Sequence, residues 1–180
     1  KNYGQWNYHD RPRTGVLHHV ANSGDEVWTV KAGTARQLDV YSIHTLCDIA
    51  GEFSDGFIRF TTRANVEFTV TDESRVQPLI DRLTEAGYPV GGTGSSVSQL
   101  AHTQGWLHCD IPGTDASGVV KAIMDELFED FVNERLPHKV KINTLCCEIN
   151  CGGHGDIDIN VQHTKPPIIN HDLVAKICER

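Results

Sequence analysis

An α+β fold is predicted for this chain of 180 residues by three features of its sequence. Short runs alternate apolar and polar residues with the period of a strand, and capped segments between them carry apolar residues at helical spacing. A break rich in proline and glycine near residue 92 separates two such sets. The length allows a core that burial alone can hold together. A hydrophobic fraction of 39% and a charged fraction of 22% are those of a soluble globular protein, and no run approaches the roughly 18 apolar residues of a membrane span. The formal charge of −8 argues against nucleic acid as a main partner, so any anion site has to be built locally. The chain opens on Lys1 and carries one methionine, Met124, as expected of a piece of a longer or processed polypeptide.

From Gly15, "GVLHHVANSGDEVWTV" reads as a hairpin about the "NSGD" turn. "VYSIHTLCDIAGEF" follows as a helix with Ile43, Leu46, Cys47 and Ala50 on one face and Gly51 as its stop, which makes Cys47 a core thiol. "FIRFTTRANVEFTV" reads as one long strand. Ile58, Phe60, Thr62, Ala64, Val66, Phe68 and Val70 point one way, and Arg59, Thr61, Arg63, Asn65 and Glu67 the other. "TDESRVQPLIDRLTEAG" is a capped helix with Val76, Leu79, Ile80 and Leu83 on its stripe and Gly87 as its end. Residues from about 15 to 87 are therefore expected to run β-β-α-β-α, within a first half that ends near residue 92.

"YPVGGTGSS" reads as a linker, because it lacks the lysine of a phosphate-binding loop and does not fit the dinucleotide fingerprint. In the second half, residues 93–180, "TDASGVVKAIMDELFEDFV" is one capped helix with Val120, Ile123, Met124, Leu127, Phe128 and Phe131 inward. Alternation returns in "LPHKVKINTL" and "GDIDINVQH", and "LVAKICER" opens a last helix. Trp6, Trp28 and Trp106 are expected in the core or in subunit contacts, and His18 and His19 as structurally satisfied strand residues. His102, His108 and His163 lie near the suspected site, but their position alone assigns them no role.

The strongest chemical signal is "CCEINC", where Cys146, Cys147 and Cys151 fall within six positions. Adjacent cysteines strain a disulfide between them and point apart around a single zinc ion, which favours a C-x2-C loop. An iron–sulfur cubane has four separated iron corners, so thiolates leaving the backbone in different directions each find an iron. The fourth ligand is chosen among Cys47, Cys109 and Cys178. Cys47 and Cys178 fit helix core faces, whereas Cys109 ends the loop "HTQGWLHC" and is the better candidate. Gly152 and Gly153 let backbone approach a cluster or a bulky cofactor.

A second signal is a pair of basic strand faces, Arg59 with Arg63 and Lys139 with Lys141, the latter running directly into the cysteine loop. Together these cations suit a polyanionic cofactor or a small oxyanion.

These blocks, "RFTTRANVEF", "GGTG", "HTQGWLHC", "TDASG", "KAIMDELFEDF", "CCEINC" and "KPPIINHD", resemble the beta subunit of dissimilatory sulfite reductase over nearly the whole chain. The resemblance implies a ferredoxin-like half domain over 1–92 and a siroheme and 4Fe-4S-binding α+β domain over 93–180. The chain would then lack the family's ferredoxin-type insertion and C-terminal region. The implied cluster ligands are Cys109, Cys146, Cys147 and Cys151, with Cys151 shared between the cluster and the siroheme iron. Arg59, Thr61, Thr62, Arg63, Lys139 and Lys141 match the positions that bind siroheme carboxylates and the substrate oxyanion, and the four cations would act in catalysis. The implied activity is six-electron interconversion of sulfite and sulfide in the cytoplasm, and "CCEINCGG" is closer to the form of sulfur-oxidising bacteria. The implied partners are an alpha subunit in an alpha2-beta2 assembly and a small sulfur-carrier protein, with no nucleic acid and no membrane span. A departure from the family is the short "CGGHGDID" stretch, which leaves His154 without an implied role. The alternatives are a non-catalytic iron–sulfur electron-transfer or structural subunit and a zinc-binding interaction domain.

Overall fold

The computed structural model describes residues 5–105, 108–162, 164–165 and 168–178. Its first sheet has five antiparallel strands: β1 (Trp6–Arg13), β2 (Val16–Ala21), β3 (Glu26–Gly33), β4 (Ile58–Phe60) and β5 (Asn65–Val70), in the order β1-β2-β3-β5-β4. The β2–β3 hairpin forms as expected, closing on Gly24 at φ +89°, where a side chain would be strained. Helices α1 (Val40–Phe53) and α2 (Val76–Glu85) cover one face. Trp28, Val30, Ala32, Val66, Phe68 and Val70 of the sheet pack there against Leu46, Ile49, Ala50, Leu79 and Leu83 of the helices. Each large apolar side chain buried in this way contributes roughly 1.5–3 kcal/mol.

Four expectations for this half are corrected. Strand β1 was not foreseen, because Trp6–Arg13 is exposed along its whole length and edge pairing leaves no alternation to read. The single strand over 58–70 is a hairpin: Thr61 Oγ1 accepts from the Asn65 N–H at 3.2 Å, and Ala64 turns the chain at φ +55°. Because β4 and β5 stay in register, Arg59 and Glu67 still share a face, now as cross-strand partners. Cys47 is exposed, since the buried stripe of α1 runs through Leu46, Ile49 and Ala50, and Ile43 is 41% exposed. Gly51 does not stop α1, which continues to Phe53 with Ser54 donating back to the Ala50 carbonyl.

The second sheet holds parallel strands β6 (Val97–His102), β7 (Val140–Thr144) and β8 (Ile157–Ile159). Between β6 and β7 run α3 (Ala116–Glu126) and α4 (Phe128–Val132), and the last helix is α5 (His171–Cys178). The single helix expected over 114–132 is broken at Leu127, and the break leaves Phe128 43% exposed while Phe131 turns inward. Residues 88–96 are not a free linker. Val90 bridges Ala32, the Gly33 N–H donates to the Pro89 carbonyl at 2.8 Å, and Thr93 and Ser96 are buried. Gly91 and Gly92 pass so close to Phe131 that no Cβ fits at either position.

Trp28 is buried as expected, Trp6 is 38% exposed, and Trp106 and His163 lie outside the described residues. His18 is satisfied by Asp10 at 2.9 Å and Glu26 at 3.1 Å and stacks on Trp28, while His19 meets His9 and Thr29. Burial, followed by the neighbouring His9 and His18, lowers the His19 pKa. Among the described residues no helix is long and apolar enough to cross a membrane.

Candidate functional site

Strand β7 leads directly into the cysteine loop and fixes its first two thiols. Thr103, just past β6, extends the β6–β7 pairing by donating its N–H to the Thr144 carbonyl at 3.0 Å. Its hydroxyl Oγ1 accepts from the Cys146 N–H at 2.9 Å. The Cys146 carbonyl in turn accepts from the N–H groups of Gly113 and Thr114. Cys146 and Cys147 are each 3% exposed and pack against Ala116 at the start of α3, and Cys109 packs against the same cluster. Three of the four sequence-predicted cysteines are thus brought together from two loops.

Cys151 is exposed. Its loop is nevertheless held at the same end of the sheet, since Asn143 donates through Nδ2 to the Gly153 carbonyl at 2.6 Å. A Cβ on Gly152 would lie 2.9 Å from the Thr103 side chain, so this glycine permits the approach. His154, without an implied role, is exposed and paired with Asp158 at 2.9 Å.

The thiol set fits a cationic cluster. Cys109 is raised: against a lowering backbone hydrogen bond from Ile111 stand desolvation and the neighbouring Cys146 and Cys147. Cys146 is lowered: burial opposes ionisation, but hydrogen bonds from Thr103, Gly105, Cys109 and Cys147 outweigh it. Sulfurs this close cannot all carry negative charge unless iron balances it. Beside the cysteines, Asn143 Oδ1 and Thr144 Oγ1 are buried polar atoms with no partner among the described residues. Such atoms are rare unless a bound group completes them.

Of the four predicted cations, Arg59 and Arg63 meet at the face of the first sheet opposite its helices. An open cleft of about 390 Å³ is lined by Lys31, Arg59, Phe60, Thr61, Thr62, Arg63 and Glu67. Arg59 Nε donates to Glu67 Oε2 at 2.8 Å, and Glu67 stands opposite Lys31 on β3. Lys139, just before β7, acts on Lys31 electrostatically. Lys141 is apart from the cleft lining and pairs with Asp156 at 3.4 Å, whose Oδ2 also accepts the Lys141 N–H at 2.8 Å. His102 bonds the Thr103 carbonyl and its own carbonyl accepts from Arg36, so its place is structural.

Sequence reading missed Lys31. It is 3% exposed, and its Nζ donates to the carbonyls of Gly92 at 2.8 Å and Ser98 at 3.3 Å. Its pKa is lowered to about 8 by burial first, then by Arg63, with Glu67 opposing and Lys139 and Arg59 adding to the shift. In "VWTVKAG" it alternates with apolar residues and so reads as a solvated strand cation.

Two family models match the chain. The nitrite/sulfite reductase ferredoxin-like half domain covers residues 19–86, and the nitrite and sulphite reductase 4Fe-4S domain covers residues 93–171. The dissimilatory-type sulfite reductase subunit beta of Nitratidesulfovibrio vulgaris is 49% identical over 99% of this chain and 49% of its own length. The subunit of the same name from Archaeoglobus fulgidus is 47% identical over 99% of this chain and 51% of its own length. That from Megalodesulfovibrio gigas is 46% identical over 99% of this chain and 72% of its own. The chain thus spans about half the length of the first two relatives. Among solved structures, dissimilatory sulfite reductase I superposes with a TM-score of 0.73 at 14% identity, covering 83% of this chain and 38% of that one. The NirA protein of Mycobacterium tuberculosis superposes with a TM-score of 0.63 at 18% identity, covering 77% and 26%. These two likenesses bear on the fold alone.

Proposed function

Because the chain belongs to the family of dissimilatory-type sulfite reductase beta subunits, we propose that it is the cofactor-holding part of a siroheme-dependent enzyme interconverting sulfite and sulfide. The observation that carries this reading is the convergence of Cys109, Cys146 and Cys147 on one buried cluster, with the Cys151 loop tied to the same end of β7. These four cysteines would hold the 4Fe-4S cluster, and Cys151, the exposed one of the four, would be the thiolate shared with the siroheme iron. When bound, siroheme with its cluster would relay electrons from an external donor, singly or in pairs, and would supply the iron that holds sulfur.

The chain's own groups divide the remaining work. Arg59 is already paired with Glu67 and Lys141 with Asp156, so these two cations suit the permanent carboxylates of a cofactor. Thr61 and Thr62 line the same cleft and supply hydroxyl donors. Arg63 and Lys139, which have no carboxylate partner among the described residues, are left for the substrate oxyanion, where their N–H groups stabilise negative oxygen and direct protons to the departing oxygens. The working protein is completed by an alpha subunit in an alpha2-beta2 assembly in the cytoplasm, and a small sulfur carrier exchanges with it. Residues 1–92 and 93–180 act as its ferredoxin-like and cofactor-binding units.

The test is the anaerobic absorption spectrum of the complex with its alpha partner, compared with Cys151→Ser. Wild type is expected to show siroheme bands perturbed by the cluster, and the variant to show both cofactors' signatures uncoupled or the siroheme lost. Iron without extractable siroheme in the wild type would establish an electron-transfer or structural subunit instead. One zinc per chain with no acid-labile sulfide would establish a zinc domain.

A further inference from the structure

Three strands carry a row of charge across the sheet face behind the cleft. Lys31 on β3 stands opposite Glu67 on β5, and Glu67 stands opposite Arg59 on β4. Glu67 is 8% exposed and accepts from Arg59, whose side chain is 73% exposed. From its other side Lys31 reaches out of the sheet. Its two hydrogen bonds end on the Gly92 and Ser98 carbonyls, which lead into and belong to β6. Asn65 Nδ2 makes a parallel contact to the same Ser98 carbonyl at 3.4 Å. One buried ammonium therefore joins the sheet bearing Arg59 to the strand whose neighbour, β7, follows Lys139.

We propose that Lys31 is the positioning residue of the anion cleft: it docks β3 to the start of β6 and, through Glu67, aims Arg59, so that Arg59, Arg63 and Lys139, which precedes β7, face one polyanion. The proposal rests on the functional reading above, which supplies siroheme, with its several carboxylates, as that polyanion. Arg59, Arg63 and Lys139 repel the Lys31 charge and Glu67 alone offsets them, while the 92–98 segment contributes carbonyls. A bound polyanion removes part of this repulsion, so binding favours the protonated ammonium. The sign follows. With a pKa of about 8 in the unfilled cleft, Lys31 is charged below that pH and retention of the ligand is flat. Above it, binding has to take up a proton, and retention falls by up to about one decade per pH unit.

The experiment dialyses the anaerobic alpha–beta complex at pH values from about 6 to about 10 and measures siroheme per complex by extraction, with iron and acid-labile sulfide as the cluster control. Wild type is expected to hold siroheme evenly up to pH about 8 and lose it above. Lys31→Arg, which keeps its charge throughout, is expected to hold siroheme with no inflection. Lys31→Met is expected to retain about tenfold less at every pH, also without inflection, while keeping its cluster iron. Wild-type retention and inflection in Lys31→Met overturn the proposal. If that variant does not assemble, Lys31→Arg decides: an inflection unchanged from wild type overturns the role, and its disappearance supports it. A wild-type complex that holds no siroheme at any pH overturns the functional reading itself and this role with it, a result distinct from any failure confined to the variants.

Discussion

Replacing Cys146 with serine is expected to abolish cluster assembly, taking iron and acid-labile sulfide from about four each per chain to near zero. Cys146 is the best-fixed of the four proposed ligands. Its N–H is held by Thr103, its carbonyl by Gly113 and Thr114, and its thiol lies among Thr103, Cys109 and Cys147. A serine would keep these backbone bonds and the local fold, but its hydroxyl ionises far less readily than a thiol and is a poor match for iron. The loss should therefore appear in metal and sulfide content and in the broad visible absorption, while the helical circular dichroism persists. Cys47→Ser, on the exposed face of α1, is the control and should leave the cluster intact. Near-complete iron in Cys146→Ser would remove this residue from the ligand set.

The second large effect is expected in a residue with no chemistry of its own. Gly91→Ala should destabilise the protein by about 4 kcal/mol or more, read as a lowered urea midpoint at unchanged slope. A Cβ at Gly91 would fall 2.3 Å from the Phe131 carbonyl oxygen and 2.9 Å from its carbon, both backbone atoms that cannot rotate away. The collision also threatens two hydrogen bonds, from the Gly92 N–H to that same carbonyl at 2.9 Å and from the Gly91 N–H to the Lys31 carbonyl at 3.1 Å. The second of these ties the segment to the strand of the cleft lysine. A loss below about 1 kcal/mol would show that the 91–131 contact adjusts freely and does not define how α4 meets the first sheet.

Legibility in the sequence tracked whether a residue's partner was near it in the chain. The β2–β3 hairpin, the stripe of Val76, Leu79 and Leu83, and a strand through Val140 and Ile142 rest on local periodicity, and each is present, although β7 is buried at Ile142, Asn143 and Thr144 alike and does not alternate. The long strand over 58–70 failed because alternation is indifferent to a four-residue turn that preserves parity, and Ala64 carries no glycine-like signal for its positive φ. Cys47 failed because one helical face and the next differ by a single residue, and only packing against the sheet chooses between Cys47 and Ile49. The segment 88–96 looked like a linker because small residues suit both open loops and tight contacts, and Phe131, some forty positions on, decides which.

By itself the sequence determined the α+β class, the crowding of Cys146, Cys147 and Cys151, and the family that those residues resemble, since adjacency and short period are properties of the chain. Tertiary structure alone decided that Cys109 packs with the cysteine pair, that Arg59 is matched to Glu67 and Lys141 to Asp156, and that Lys31 is buried between the two sheets. The physical reason is that burial and charge compensation depend on distances through space. A lysine in an alternating strand reads as solvated until a second sheet, brought in by sixty intervening residues, closes over it and gives its ammonium two carbonyls to hold.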